Sequence, residues 1–299
     1  MSVKINDGLS RQRKMGLTRT SIEWCHGNGE AFSWNFVTGC DKVSAGCKNC
    51  YAESHAKRFW GDRKFTDVQV HAEKITAPLR LKKSANIFVN SMSDLFHDDV
   101  ADTTIQESLY VMEATPHVHY IVLTKRPNRM QKFFSSIAKL SDTSHFRQSP
   151  LANLTIGVSV ESNAVLDRIG YLQATPAAQR IISFEPLIEE VNAMSAIRST
   201  QGRIHHAIIG GESGAGARPC HLNWIASLIN QCDFLQMGVF VKQLGARAMA
   251  RLPGWEGERR YYTKSKKGND MTEWPSYLQR RDLLLPSAVK TVAQNYQQI

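Results

Sequence analysis

Gly39-Cys40-Asp41-Lys42-Val43-Ser44-Ala45-Gly46-Cys47-Lys48-Asn49-Cys50-Tyr51-Ala52-Glu53 holds three of the chain's six cysteines, spaced Cys-x6-Cys-x2-Cys. Glycines precede the first two, so the backbone there can fold tightly around a small group. The Cys-x2-Cys pair puts two sulfurs on one turn, and Cys40 is near enough in sequence to complete a triangle. Three thiolates on one short loop are a metal-ligand pattern. Three readings of the loop compete: unrelated thiols, a structural zinc site, and an iron–sulfur cluster. The zinc site would use Cys47, Cys50 and His55, with Cys40 closing the tetrahedron. The cluster would sit on Cys40, Cys47 and Cys50 and leave one iron open. A helix is expected to leave the loop over Tyr51–Trp60.

Working outward, short β-rich runs alternate with helix-like stretches. The runs are Asn35–Thr38, Ile87–Asn90, Tyr120–Thr124, Leu154–Val160, Arg180–Phe184, His206–Ile209 and Val239–Val241. Apolar residues recur at helical spacing over 102–114 (Ile105, Leu109, Met112) and 221–232 (Leu222, Ile225, Ala226, Ile229). Strands alternating with helices mean parallel βα units. Nearly continuous apolar strands suit a sheet covered on both faces. About six to seven such units are too few for a complete eight-stranded barrel. The expected fold class is therefore α/β, a partial parallel βα barrel, with a doubly wound sheet as the other consistent arrangement. The expected organisation is a basic tail over 1–20, a core over 21–247 carrying the cysteine loop, and a basic extension over 248–299.

In such folds chemistry gathers where strands end, and the strand ends here are polar. They read Asn90-Ser91-Met92-Ser93-Asp94, Thr124-Lys125-Arg126-Pro127, Ser159-Val160-Glu161, Ser183-Phe184-Glu185-Pro186, Gly210-Gly211-Glu212-Ser213-Gly214 and Lys242-Gln243. One such carboxylate is ordinarily a cap or a solvated loop acid. Three successive strands ending in glutamate, beside the cysteine loop, suggest that Glu161, Glu185 and Glu212 converge on one mouth. The Gly210–Gly216 stretch lacks the Gly-x-Gly-x-x-Gly spacing of a dinucleotide loop, but its backbone N–H groups can still approach an anion.

With 299 residues the chain can bury a full core. No run of eighteen apolar residues occurs, so no membrane span is expected. The start of the chain is polar and basic, without a signal-peptide core, which points to a cytoplasm and reduced thiols. The 37 Lys and Arg exceed the 27 Asp and Glu, a net charge of +10 that favours polyanionic partners. The excess lies at both ends: Lys4, Arg11, Arg13, Lys14 and Arg19 at one, and Arg251, Arg259, Arg260, Lys264, Lys266, Lys267, Arg280 and Arg281 at the other. Trp255, Tyr261, Tyr262 and Trp274 interleave the second run, where they suit base stacking or plain packing. Cys25, Cys220 and Cys232 lack ligand spacing; Cys232 reads as core on its helix.

These stretches together resemble a known family, the three-Cys-motif proteins of phages and bacteria, whose activity is unassigned. The matching segments are Thr20–Trp24, Trp34–Cys40, Gly46–Glu53, Ser91–Phe96, Leu123–Pro127, Gly157–Glu161, Ser183–Leu187 and Gly210–Gly214. That family in turn resembles an outlying branch of the radical S-adenosylmethionine proteins, which fold as partial βα barrels with a [4Fe-4S] cluster after the first strand. Their common spacing is Cys-x3-Cys-x2-Cys; here the first gap is six, and Tyr51 follows the last cysteine.

The resemblance implies a radical S-adenosylmethionine-type enzyme with its cluster on Cys40, Cys47 and Cys50, served by an electron donor in the cytoplasm of a bacterium or a phage-infected host. It implies Ser93 and Asp94 as contacts to the cofactor's methionyl or ribose groups. Glu161, Glu185, Gly211 and Glu212 are implied for its amino group, ribose or adenine. Lys125 and Arg126 would hold a carboxylate or a substrate phosphate, and with Glu185 they are the catalytic candidates. A nucleotide or nucleic acid is the favoured substrate, with a protein or a small metabolite as the alternative. The rival expectations are a zinc-containing nucleic-acid-binding protein without catalysis, and a hydrolase whose strand-end glutamates bind a divalent ion.

Overall fold

The computed structural model describes residues 16–26, 29–140, 150–198, 202–251 and 256–284. Most of the basic N-terminal tail, residues 1–15, and Trp255 lie outside the described residues.

In chain order the elements are β1 (Leu17–Arg19), β2 (Glu30–Trp34), β3 (Val37–Thr38), α1 (Tyr51–Phe59), β4 (Gln69–Val70), β5 (Ala85–Val89), α2 (Asp102–Glu113), β6 (Val118–Thr124), α3 (Pro127–Leu140) and β7 (Leu154–Ser159). Then come α4 (Asp167–Ala174), β8 (Gln179–Phe184), α5 (Met194–Ile197), β9 (His206–Gly210), β10 (Cys220–His221), α6 (Leu222–Phe234), β11 (Gly238–Gln243), β12 (Ala248–Arg251) and β13 (Glu258–Arg260). The main sheet has eight strands in the order β1-β2-β5-β6-β7-β8-β9-β11. Every pair in it is parallel except β1 with β2. This is a mixed α/β fold around a large, mostly parallel sheet. Spatial order follows chain order throughout, so no reversal point of the doubly wound kind exists. Among the described residues β1 and β11 do not pair, and the sheet is open.

Six of the seven expected runs match observed strands to within two residues. The first does not. The parallel strand is Glu30–Trp34, and Val37–Thr38 pairs instead with β4 in a separate two-stranded ribbon. Asn35 makes the break. Its Oδ1 accepts from the Met92 N–H at 3.1 Å, and its Nδ2 donates to Ser91 Oγ at 3.2 Å, which ends β2 against the neighbouring strand end. The ribbon then leads into the cysteine loop. At its end Gly39 has φ +98° and packs so closely on the Asp67 carbonyl that a side chain has no room.

Alternation along the strands divides the sheet into two faces. One carries Trp34, Ile87, Val89, Tyr120, Val122, Ile156 and Ile182 against the helices, in the main core. The other carries Phe88, Ile121, Ile181, Ile208 and Phe240, covered by Trp24 and Leu284. The Trp24 and Phe88 rings meet edge-on at 4.9 Å. The outer edge of β11 is capped by residues 280–282: Val241 N–H donates to Arg280 O at 2.8 Å and Asp282 N–H to Val239 O at 2.9 Å. That contact removes an exposed strand edge.

The second face holds buried polar groups beside its apolar patch. The Thr155 hydroxyl bridges His119 Nε2 at 2.9 Å and Gln179 Oε1 at 3.0 Å, while His119 Nδ1 has no partner. Burial pushes the His119 imidazole down to about 4. The unfolded chain takes up a proton near pH 6.5 and the folded chain only near pH 4, so stability falls as pH falls through that window. The loss amounts to about 3 kcal/mol. We expect His119→Gln to flatten this part of a plot of melting temperature against pH, with the variant gaining on the wild type between pH 6.5 and 4.

Candidate functional site

The cysteine loop lies across the carboxyl ends of the parallel strands, held by side chains from four of them. Asp94, after β5, is a bracket. Its Oδ1 accepts from Thr124 Oγ1 at 2.7 Å and Phe96 N at 3.0 Å, and its Oδ2 from Lys125 N at 2.9 Å. It fixes the turn after β6 and so aims Arg126. The Arg126 guanidinium reaches the loop, with Nη1 3.5 Å from Cys40 Sγ and 3.4 Å from Asp94 Oδ2, and Nη2 paired with Asp41. His97 Nε2 lies 3.2 Å from the same Asp41 carboxylate. Burial pushes the Cys40 thiol up to about 11; Asp94 adds to this and Arg126 opposes it. Burial would also lower the Arg126 value, but Asp94, Cys40 and Asp41 outweigh it and hold the guanidinium firmly charged.

Glu161, after β7, holds the middle of the loop. Its Oε1 accepts from Ser44 Oγ and, at 3.2 Å, from Gly46 N. Its Oε2 accepts from Arg168 Nη1 at 3.0 Å, on the first turn of α4. Glu161 has no exposed surface at all. Gly46 is required here, because a Cβ would stand 2.7 Å from Glu161 Cγ and Cδ. Gly46→Ala is expected to cost about 1–3 kcal/mol through overpacking, read in urea unfolding as a lower midpoint with unchanged slope.

Glu212, after β9, holds the far side. Arg218 binds it from its own N–H at 2.9 Å and from Nε and Nη2 at 3.1 and 2.7 Å. Asn49 Nδ2 donates to Glu212 Oε2 at 2.9 Å, and Arg218 Nη1 donates to Ala45 O at 2.9 Å. Burial alone would raise the Glu212 carboxyl; the Arg218 and Asn49 hydrogen bonds prevail and hold it below the usual carboxylate range. Tyr51 closes the loop by donating its hydroxyl to Ser91 O.

Each of the three expected glutamates has a cation of its own. Glu161 pairs with Arg168, Glu212 with Arg218, and Glu185 with Lys242 at 3.0 Å. A buried carboxylate without a cation is costly, and the fold supplies one to each. Among the described residues no three His, Cys, Asp or Glu side chains are placed to hold a metal ion. His55 is exposed and stacks on Phe59 at 4.5 Å.

The cysteines divide sharply. All six are free; Cys40, Cys47 and Cys50 are partly exposed, and Cys25, Cys220 and Cys232 are buried. Burial pushes the last two up to about 12 and Cys25 higher still. Of the remaining expected site residues, Ser93 donates its hydroxyl to Val37 O at 2.9 Å, and Gly211 N–H donates to Gln243 O at 3.1 Å. The half-buried Lys125 ammonium has no hydrogen-bond or ion-pair partner among the described residues. Asn90, buried just after β5, accepts from Val37 N–H at its Oδ1, and its Nδ2 has no partner among the described residues. Sequence reasoning missed Ser44 and Arg168. An arginine seven residues past a strand-end glutamate, on the first helical turn, was the available signal for the second.

Fold and site define a parallel α/β protein with a three-cysteine loop clamped over its strand ends. The chain belongs to the family described as "Protein of unknown function (DUF5131)", whose model matches residues 19–277. No curated protein matches the chain. Among solved structures the chain is similar to spore photoproduct lyase. A cysteine-to-alanine variant of that enzyme with dinucleoside spore photoproduct matches at TM-score 0.44 and 10% identity, over 84% of this chain and 72% of that one. A tyrosine-to-phenylalanine variant matches at TM-score 0.42 and 12% identity, over 88% and 79%. Among the described residues no helix is long and apolar enough to cross a membrane.

Proposed function

We propose that the chain is an iron–sulfur enzyme of the radical S-adenosylmethionine type, built on a partial βα barrel, with a [4Fe-4S] cluster on Cys40, Cys47 and Cys50. One observation carries this reading: the three partly exposed thiols are the three on the clamped loop, while every other thiol is buried. The donor chemistry fits. A cluster takes thiolate ligands, each on a separate iron, and the loop carries three thiols in the Cys-x6-Cys-x2-Cys spacing. Four backbone and side-chain clamps on a loop of this length are more than a surface turn requires.

When bound, the cluster and S-adenosylmethionine supply one-electron cleavage of the sulfonium for hydrogen abstraction, with the electron drawn from an external donor. The chain's own residues position and exclude water. Arg126 sets a positive charge beside Cys40 and favours its thiolate form. Glu161, Glu212 and Asp94 are positioning residues, since their oxygens already serve protein donors. Direct contact with the cofactor or substrate falls to groups with bonding capacity left: the Lys125 ammonium, the Glu185–Lys242 pair, the Ser93 hydroxyl as acceptor and Asn90 Nδ2. A nucleotide or nucleic acid is the proposed substrate class, from the basic surface.

The test is purification without oxygen, reconstitution with iron and sulfide, and metal counting beside absorption and EPR spectra. About four irons per chain, with a reduced-state signal altered by S-adenosylmethionine, is the expected result. One tightly held zinc and no iron chromophore would sink the reading.

A further inference from the structure

A cleft of about 940 Å³ opens between the Gly214–Ala217 turn, β12 and residues 260–267. Arg247, Arg260, Lys264, Lys266 and Lys267 line it, and no acidic residue does. None of the five makes an ion pair among the described residues. The site arginines behave otherwise: Arg126, Arg168 and Arg218 each hold a carboxylate. Five like charges gathered in a concave wall repel one another, and a bound polyanion relieves this.

Two further features give the anion a form. Tyr262 is 78% exposed, and the Arg260 guanidinium lies 5.2 Å from its ring centre. A large aromatic face left in solvent beside unpaired cations is a stacking platform for bases, whose faces are accessible only in an unpaired strand. The same Gly214–Ala215 rim also lines a second cleft, of about 300 Å³, walled by Lys42, Lys48, Cys50, Glu53 and Lys57, where Glu53 pairs with Lys42 and Lys57 and leaves Lys48 without an ion pair among the described residues. The two clefts are thus joined at the tip of the loop that Glu212 begins, and the second reaches the cysteine loop.

We propose that the cleft lined by Arg247, Arg260, Tyr262, Lys264, Lys266 and Lys267 seats single-stranded nucleic acid and leads it past Gly214 to the cysteine loop. Its role as the substrate's seat rests on the enzyme reading above; the binding itself does not.

Fluorescence anisotropy with a labelled single-stranded oligothymidylate of roughly twelve nucleotides, titrated with the full chain, tests it. Five phosphate contacts predict an affinity loss on the order of 100-fold between 50 and 200 mM salt. The triple variant Lys264→Glu, Lys266→Glu, Lys267→Glu should bind at least tenfold more weakly and reduce the salt slope by about 2. Tyr262→Ala should weaken the oligonucleotide roughly tenfold and leave inorganic polyphosphate binding unchanged. All four residues are partly or fully exposed, and circular dichroism checks their folding. Wild-type affinity in the triple variant overturns the proposal, as does a duplex bound as tightly as the single strand, or a Tyr262→Ala variant without effect. Iron is counted in the same samples. Iron without oligonucleotide binding sinks the cleft alone, and binding without iron sinks only the enzyme reading.

Discussion

Replacing Glu161 with alanine is expected to destabilise the protein by about 3–5 kcal/mol and lower its melting temperature by on the order of 10 °C. Glu161 has no exposed surface, and Arg168 opposite it is nearly as buried. Removing the carboxylate leaves a guanidinium in the interior with only the Ser159 carbonyl, at 2.8 Å, as acceptor. It also strips the buried Gly46 N–H of its acceptor, at about 1–3 kcal/mol for a buried unpaired donor, and removes the Ser44 Oγ contact. Glu161→Gln keeps the shape and one acceptor, and should cost distinctly less.

A second substitution separates stability from placement of the loop. In the double variant Glu161→Leu, Arg168→Met the buried pair is replaced by apolar groups of similar size, which is often neutral or stabilising. Its melting temperature should recover most of the loss. Gly46 and Ser44 would still lack the Glu161 carboxylate, so the loop stays unclamped, and iron uptake should fall below that of the wild type in both Glu161→Ala and the double variant. Recovery of both properties together would show that Glu161 serves stability only.

The strand and helix pattern was legible because buried parallel strands are written as continuous β-branched and aliphatic runs, such as Val118–Thr124, and their helices as i, i+3, i+4 repeats, such as Asp102–Glu113. The first parallel strand was misplaced because Ser33 interrupts its apolar run and Asn35 ends it, while Phe36 and Val37 continue a strand-like pattern into a different pairing. The site's residues were legible as a set: cysteines by spacing, acids by their place at strand ends. Their roles were not. Whether a strand-end acid faces a ligand or a protein cation depends on side chains brought in by folding. Glu212 meets Asn49 from 163 positions away, and Glu161 meets Ser44 from 117. Nothing in local spacing encodes such contacts. Arg168 and Arg218, a few residues beyond their acids, are the exceptions that a search for paired charges across strand ends would find.

Substituting serine at Cys40, Cys47 or Cys50 should each reduce reconstituted iron from about four per chain to well below one, with loss of the visible absorption. A cluster on three thiolates has no spare protein ligand, and Cys25, Cys220 and Cys232 cannot substitute because each is buried in packed core. The same change at Cys220 or Cys232 should leave iron content intact while lowering stability by about 1 kcal/mol, since a polar hydroxyl replaces a core thiol. His55→Ala should change neither property, because the ring stands exposed on Phe59. The pattern across the six single variants is the test. Iron lost at the three loop positions alone fits a cluster on the loop; iron kept in any one of them would remove that cysteine from the ligand set. Metal loss at His55 together with Cys40, Cys47 and Cys50, and zinc in place of iron, would instead turn the loop into a structural site. The clamps of Glu161 and Glu212 would then be holding a fold element rather than a reactive centre.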